Sequence, residues 1–295
     1  MTRLAAGLLL ALVWAQPARG QASCFGGTVD DDGACGFAAP RWVGEFASLS
    51  ANGVIGGLTA GLLRHFRGGS FRDGFVRGMA GGAATWAGKR ITAESFGGAG
   101  LIGRGVSAAG ASMVRNAGDG APTFDRLILP VGPLWLDYSP RRRALRVRVD
   151  VAALAWVTWA VAESELDLDV RESLSAGTPL FRTKGKLLSS GHDDAHAAGV
   201  TNAGIILLAD VPAYGPEFER RAMAHERIHV LQEDQLAILW SDPGVSRVAG
   251  LTASGRTANR FIAWNLGTEV LRLLGNAFPE HGDRPWELEA IFFAR

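Results

Sequence analysis

The chain has 295 residues, of which 47% are hydrophobic and 20% are charged, and its formal net charge is +1. This near-neutral balance argues against a nucleic-acid partner. The length suits one large domain or two, and changes in composition predict four segments, which are 1–22, 23–50, 51–122 and 123–295.

Residues 1–22 have the pattern of a secretory signal peptide. Arg3 precedes an apolar run from Leu4 to Ala15, and a short polar stretch with small residues follows it. The apolar run is too short for a permanent membrane anchor. Removal of the segment takes away Arg3 and Arg19 and changes the formal charge from +1 to −1. We therefore expect a protein that is secreted or held in the periplasm of the cell envelope.

The segment 23–50 contains both cysteines of the chain, Cys24 and Cys35. In an exported protein this pair is expected to form one local disulfide, and two unpaired thiols are the alternative. Cys24 also raises the alternative of a lipid anchor. Gln21, however, stands where a lipidation motif has leucine.

The segment 51–122 is rich in glycine and is predicted to be helical. Residues 51–120 hold 19 of the 39 glycines. Small residues four apart form a smooth stripe on which a second helix can pack closely. A helical hairpin with a turn at residues 67–70 is therefore expected. The two stripes are Gly53, Gly57 and Gly61, and Gly74, Gly78 and Gly82.

Four possibilities remain open for this glycine-rich segment. It is expected first to pack as a soluble helical region, because charged residues interrupt its apolar runs before they reach the roughly 20 residues of a membrane span. Peripheral membrane contact and a largely disordered segment are the alternatives. The segment could also serve as a propeptide.

The middle of the chain is predicted to contain strands. Residues 145–151 and 165–171 alternate between apolar and charged side chains, as half-buried strands do. One run is basic and the other acidic, so the two could pair across a sheet. Residues 152–162 are apolar and are predicted to be a buried strand, and residues 204–210 a further strand.

A polar loop at residues 189–196 offers four side chains that could bind a second metal ion. Its spacing matches no defined site, and a solvated loop is the alternative. The four residues are His192, Asp193, Asp194 and His196.

The strongest chemical signal is the motif His225-Glu226-x-x-His229. It lies in a run of residues 216–240 that a proline opens and a Ser-Asp-Pro-Gly stop ends, which predicts one helix. Two histidines four apart on a helix share a face and can bind one metal ion. Glu226 beside them can act as general base toward a water. The alternative is two histidines packed on a buried face, each bonded to a backbone carbonyl.

The motif resembles the zinc-binding signature of the zincin metallopeptidases. Gln232 and Gln235 stand where a metzincin has glycine and its third histidine. The pattern His-Glu-x-x-His-x-x-Gln, followed by Glu287-x-x-Ala, resembles gluzincins instead, over roughly residues 216–295. The resemblance implies Glu287 as the third zinc ligand, with Glu269 and Glu289 as alternatives. It also implies that the strand at 204–210 forms the sheet edge that binds substrate, with packing inside the sheet as the alternative.

Two further helices are predicted at residues 256–278 and 284–293. Between them His281 could stabilise an oxyanion, with a simple loop histidine as the alternative. The side chains expected to support the zinc ligands are Gln232, His281, Glu289 and Glu269.

These features together predict an α+β fold, with a mixed or antiparallel sheet packed on the His-Glu-x-x-His helix and a glycine-rich helical segment before it. The resemblance implies an exported zinc peptidase that hydrolyses a peptide or protein substrate. A non-catalytic metal-binding envelope protein is the first alternative, with a glycine-rich half that mediates oligomerisation or membrane contact. A toxin-like effector, in which that half aids delivery, is the second.

Overall fold

A computed structural model describes the chain from Ser23 onward, with gaps. The described residues are 23–24, 27–29, 35–37, 41–94, 96–184, 188–189, 196–197, 199–209, 215–275 and 284–294. The predicted signal peptide, His281 and three candidate ligands of the second-metal loop (His192, Asp193 and Asp194) lie outside them, and only the backbone of His196 is described. The predicted disulfide also lies outside, because the backbones of Cys24 and Cys35 are described but their side chains are not.

Three long helices form the glycine-rich region, and the first two make the predicted hairpin. The turn at residues 67–70 joins α1 to α2, and Ser70 caps α2 by accepting a hydrogen bond from the backbone of Asp73 at 3.3 Å. The helices are α1 (Arg41–Phe66), α2 (Phe71–Thr92) and α3 (Ala99–Asp119).

Glycines bring the backbones of α1 and α2 into direct contact. A Cβ atom added at Gly78 would lie 2.4 Å from the carbonyl oxygen of Gly56, and one at Gly82 would lie 2.1 Å from that of Asn52. The predicted stripe on α2 is therefore the contact surface. On α1 the contact runs through Asn52 and Gly56. Gly53 and Gly61 of the predicted stripe also lie at it, since their Cα atoms are 2.9 and 3.0 Å from the Cβ positions of Gly82 and Gly74, whereas Gly57 faces the side chains of Phe75 and Met79 on α2.

The first large sheet has the order β13-β6-β5-β4. Its meander β4-β5-β6 is antiparallel, and β13 joins β6 in parallel. The predicted strand at 145–151 is β6. The strands are β4 (Leu127–Val131), β5 (Leu134–Ser139), β6 (Ala144–Asp150) and β13 (Ile262–Ala263).

The second large sheet has the order β11-β12-β8-β7, with β12 and β8 parallel and the other pairs antiparallel. The strand predicted at 204–210 is β12, which lies inside this sheet. The expectation that it forms the substrate-binding edge is wrong, because β11 covers its outer side and is itself the edge. The strands are β7 (Leu166–Leu168), β8 (Leu180–Thr183), β11 (Gly199–Asn202) and β12 (Ile205–Ala209).

Two small antiparallel sheets complete the strands of the described residues. The first has the order β1-β2-β3, and the second pairs β9 with β10. Their strands are β1 (Ser23–Cys24), β2 (Gly27–Val29), β3 (Cys35–Phe37), β9 (Leu188–Ser189) and β10 (His196–Ala197).

Shorter helices connect the two large sheets and follow them. α4 (Val151–Ala162) connects the first sheet to the second, α5 (Val170–Ala176) connects β7 to β8, and α6 (Gly215–Leu236) carries the His-Glu-x-x-His motif. A π-helical turn at Ala237–Ser241 extends α6 directly into the next helix. The remaining helices are α7 (Asp242–Ala249), α8 (Ala253–Ala258), α9 (Gly267–Gly275) and α10 (Pro285–Phe293).

Three sequence predictions fail in this part of the chain. The apolar run 152–162 is helix α4, because Asp150 caps it by accepting from the backbone of Ala153 at 3.0 Å and an all-apolar run carries no period of its own. Only Leu166–Leu168 of the acidic run is a strand, and it lies in a different sheet from β6, so the two do not pair. The helix predicted at 256–278 is interrupted by β13, which hydrogen-bonds to β6.

Residues before and after the predicted boundary at residue 122 contribute to the same buried core. Ala108 and Ala111 of α3 pack with Trp135 of the first sheet and Ile238 after α6 in one buried cluster. A buried ion pair joins Arg104 of α3 to Asp234 of α6, at 2.6 Å. The predicted α+β class with mixed sheets is confirmed, and the glycine-rich helices share their core with the rest of the chain.

Within the described residues, one helix could cross a membrane by its length and composition alone. It is the stretch Trp42–Phe66 of α1, and less than half of its most apolar part is buried. The sequence-based expectation that charges keep every run below spanning length was therefore too strict for this helix.

Candidate metal centre

The candidate site forms where α10 packs on α6. His225 and His229 are one turn apart on α6. α10 begins at Pro285, which suits the first helical position, and this start places Glu287 in its first turn. Ile228 and Leu231 of α6 pack with Ala290 and Phe293 of α10 in a buried cluster, which holds the two helices together beside the three polar side chains.

Three ligand-type atoms meet at this contact. The Nε2 atoms of His225 and His229 are 2.9 Å apart. Oε2 of Glu287 lies 3.2 Å from Nε2 of His225 and 3.1 Å from Nε2 of His229. Among the described residues, these three side chains lie close enough together to hold one metal ion.

The triangle of donor atoms has the dimensions that a zinc ion requires. Ligand atoms about 2.0–2.1 Å from a tetrahedral zinc are roughly 3.3 Å apart, and the three observed edges are within a few tenths of an ångström of that length. Two imidazoles and one carboxylate are a donor set that zinc hydrolases use. The alternative in which each histidine bonds a backbone carbonyl does not describe these Nε2 atoms, which face each other and Glu287.

Gln232 sets the orientation of His229. Its Oε1 lies 2.8 Å from Nδ1 of His229 and accepts the hydrogen bond. Its Nε2 donates to the backbone oxygen of Trp286 and to Oε2 of Glu289, each at 2.9 Å. Both partners of Nε2 are acceptors, so the amide oxygen must be the atom that faces the imidazole. His229 therefore carries a proton on Nδ1, and Nε2 is the ring nitrogen that faces the triangle and could bind a metal ion.

Glu289 lies behind the ligands rather than among them. Its carboxylate accepts hydrogen bonds from Nζ of Lys89 at 2.7 and 2.8 Å and from Nδ2 of Asn52 at 2.8 Å. Burial opposes its negative charge, but the charge of Lys89 and these hydrogen bonds outweigh that effect and hold the pKa of Glu289 below its usual value. Glu289 thus connects Gln232 to the glycine-rich helices.

Glu226 lies between the histidine face and the edge strand β11. Its side chain is buried, and one carboxylate oxygen accepts a 2.8 Å hydrogen bond from the hydroxyl of Thr201. A Cβ atom at Gly199 would lie 2.6 Å from Cγ of Glu226, so this position of the strand leaves room only for glycine. The carboxylate is therefore held against the sheet edge, close to the triangle.

The electrostatic field at the triangle favours positive charge. Burial lowers the pKa of His229, but the hydrogen bond and charge of Glu287, the charge of Glu226 and the bond to Gln232 together raise it to about 9. Two carboxylates thus surround the imidazoles. The negative charges of Glu226 and Glu287 would balance the charge of a cation bound at this position.

The structure brings together Glu226, His225, His229, Glu287, Gln232 and Glu289. It does not bring Glu269 to the triangle: that residue is exposed on α9. Sequence reasoning missed Thr201, Asn52 and Lys89. One signal was available for Lys89, which is the only lysine of residues 51–122.

Comparison of the chain with protein-family models, with curated proteins and with solved structures returned no match. The assignment of this site therefore depends on the residues and their geometry.

Proposed function

We propose that this chain is an exported zinc-dependent peptidase of the gluzincin type. The observation that carries the proposal is the triangle of His225, His229 and Glu287, with edges of 2.9–3.2 Å, beside the buried carboxylate of Glu226. The α6 helix that bears the motif packs on β11 and β12 and would be the active-site helix.

His225, His229 and Glu287 would hold the zinc ion and leave one coordination position open. When bound, zinc supplies water activation near neutral pH and polarisation of a carbonyl group. Glu226 would take the proton of the attacking water and deliver it to the leaving amine. Among the described strands β11 is the edge of its sheet and adjoins Glu226, so an extended peptide added at that edge would present its backbone to the base.

Metal content of the purified mature protein tests the site. We expect about one zinc per chain in the wild type, and loss of that zinc in His229→Ala and in Glu287→Ala. Circular dichroism of each variant checks that the chain remains folded. Absence of zinc from wild type under zinc-replete conditions would contradict the proposal.

Glu226→Gln tests the reaction. The variant keeps the shape of the side chain and an acceptor for Thr201 but removes the base. We expect it to bind zinc as wild type does and to lose hydrolysis of a mixed peptide library. Retained hydrolysis would show that Glu226 is not the base.

Contact with a membrane surface is a second candidate function, for the glycine-rich helices. It is favoured by three aromatic side chains along α1, which are 70%, 66% and 79% exposed at Trp42, Phe46 and Phe66. Sedimentation of the mature protein with anionic vesicles tests this candidate. Binding that is lost in Trp42→Ser/Phe46→Ser supports it, and no binding by wild type removes it.

A further inference from the structure

We propose that Lys89 and Asn52, which lie on the glycine-rich helices, are positioning residues of the metal centre. They would act through Glu289 and Gln232 to hold His229 in the form that can bind a metal. The inference rests on the proposed zinc site and assigns a role in it to a region that carries no ligand.

Lys89 begins this chain of hydrogen bonds because an ammonium group has only donors. It is 2% exposed, and its Nζ donates to both oxygens of Glu289, at 2.8 and 2.7 Å, and to Oδ1 of Asn52, at 3.0 Å. Asn52 in turn donates from Nδ2 to Oε1 of Glu289 at 2.8 Å and to the backbone of Ser48 at 3.0 Å. Both Glu289 oxygens are therefore held as acceptors.

Gln232 links the acceptor oxygens of Glu289 to the imidazole of His229. Because Oε2 of Glu289 is an acceptor, the group of Gln232 that meets it must be the amide nitrogen, at 2.9 Å. The backbone oxygen of Trp286 acts in the same direction. The amide oxygen then faces Nδ1 of His229, which must carry a proton, and Nε2 is the ring nitrogen that remains beside Glu287 to bind a metal ion. Reversal of Gln232 would place the proton of His229 on Nε2, where it blocks metal binding.

The packing of α1 on α2 brings the two positioning residues to this place. The backbone oxygen of Asn52 is in contact with Gly82, so only glycine at that position allows α1 to approach closely. Lys89 lies two turns further along α2, on the same buried side. The close helix contact is therefore what lets a buried lysine and asparagine of the hairpin reach a carboxylate on α10.

Zinc affinity and the visible spectrum of the cobalt(II)-substituted protein test the inference in the full mature chain. Two variants remove the polarity: Lys89→Met, and the double variant Lys89→Met/Glu289→Gln. The double variant leaves no buried unpaired charge, so it remains informative if the single variant fails to fold. Its new amide can donate toward Gln232, where the carboxylate only accepts. Thr85→Ala is the matched control, since Thr85 is buried one turn from Lys89 and bonds only the backbone of its own helix.

We expect both test variants to bind zinc about 10-fold or more weakly than wild type, as is typical when the partner of a ligating histidine is lost, and to shift the cobalt absorption bands. Thr85→Ala should keep the wild-type affinity and spectrum even if its melting temperature falls. Wild-type zinc affinity in a folded test variant would overturn this inference alone. Failure of wild type itself to bind zinc would overturn the proposed function as well.

Discussion

The hydroxyl of Thr201 donates a hydrogen bond of 2.8 Å to the carboxylate of Glu226. The same hydroxyl lies 3.0 Å from the backbone oxygen of Glu226. Thr201 belongs to the edge strand β11 and Glu226 to helix α6, so this contact joins the sheet edge to the motif helix. One oxygen of the proposed base is thereby fixed in place.

Replacement of Thr201 by valine should slow peptide hydrolysis about 10-fold or more, because a hydrogen bond to a charged group contributes roughly 1.5–3 kcal/mol. Zinc content should not change, since Thr201 touches no ligand. Values of kcat/KM on a peptide substrate, with zinc measured on the same samples, check this. Thr201→Ser keeps the hydroxyl and should retain most of the activity. Wild-type activity in the valine variant would mean that the hydroxyl does not position Glu226.

Removal of zinc should lower the free energy of unfolding. The site would bind the ion in the folded state only, so free zinc at 1,000 times its Kd would stabilise the protein by about 4 kcal/mol. Urea unfolding with zinc and with a chelator measures the difference. His225→Ala is the control and should respond little to the chelator. An equal response in the two proteins would show that the stabilising metal binds elsewhere.

Replacement of Gly82 by alanine should destabilise the protein by about 1–3 kcal/mol or more, the usual result of overpacking. The added Cβ atom would lie 2.1 Å from the backbone oxygen of Asn52, and backbone cannot move aside as a side chain can. Gly105→Ala is the matched control on α3, because nothing lies within 4 Å of its Cβ position. That control should gain up to about 1 kcal/mol from helix propensity. Urea unfolding measures both, and equal effects would contradict the close contact.

Stability should depend on pH through Asp150. Burial is the largest influence on this carboxyl and raises its pKa from 3.8 to about 6, although the backbone of Ala153 and the side chain of Asn265 donate hydrogen bonds to it. A raised pKa means that the folded state holds the proton more tightly than the unfolded state. The contribution is therefore fully present below pH 3.8 and is lost as the pH rises to about 6.

Asp150→Asn measures this contribution. Asparagine caps helix α4 as well as aspartate does and has no charge to bury. The stability of wild type relative to the variant should fall by about 2–3 kcal/mol between pH 4 and pH 7, since one pKa unit corresponds to about 1.4 kcal/mol. Urea unfolding of both proteins at four pH values gives the difference and cancels the other titrating groups. A difference that stays constant with pH would contradict the raised pKa.

Features with a local cause could be predicted from the sequence. The α6 helix follows from a proline start, a clear stop and a run without breakers. The shared face of His225 and His229 follows from the helical repeat alone. The hairpin of α1 and α2 follows from its glycine spacing and its turn. The run 152–162 was mistaken for a strand because apolar residues without alternation do not distinguish a short buried helix from a strand.

Features that join distant parts of the chain were decided only by the tertiary structure. Glu287 is 58 residues from His229, and Lys89 is 200 residues from Glu289. The resemblance to gluzincins pointed to Glu287, but nothing in the spacing of Lys89 or Asn52 indicates a partner. Hydrogen bonds of this kind depend on which helix faces meet, and that choice follows from the packing of the whole core. The motif could therefore be recognised in the sequence. The residues that support it could be identified only from the tertiary structure, in which the glycine-rich hairpin packs against α6 and α10.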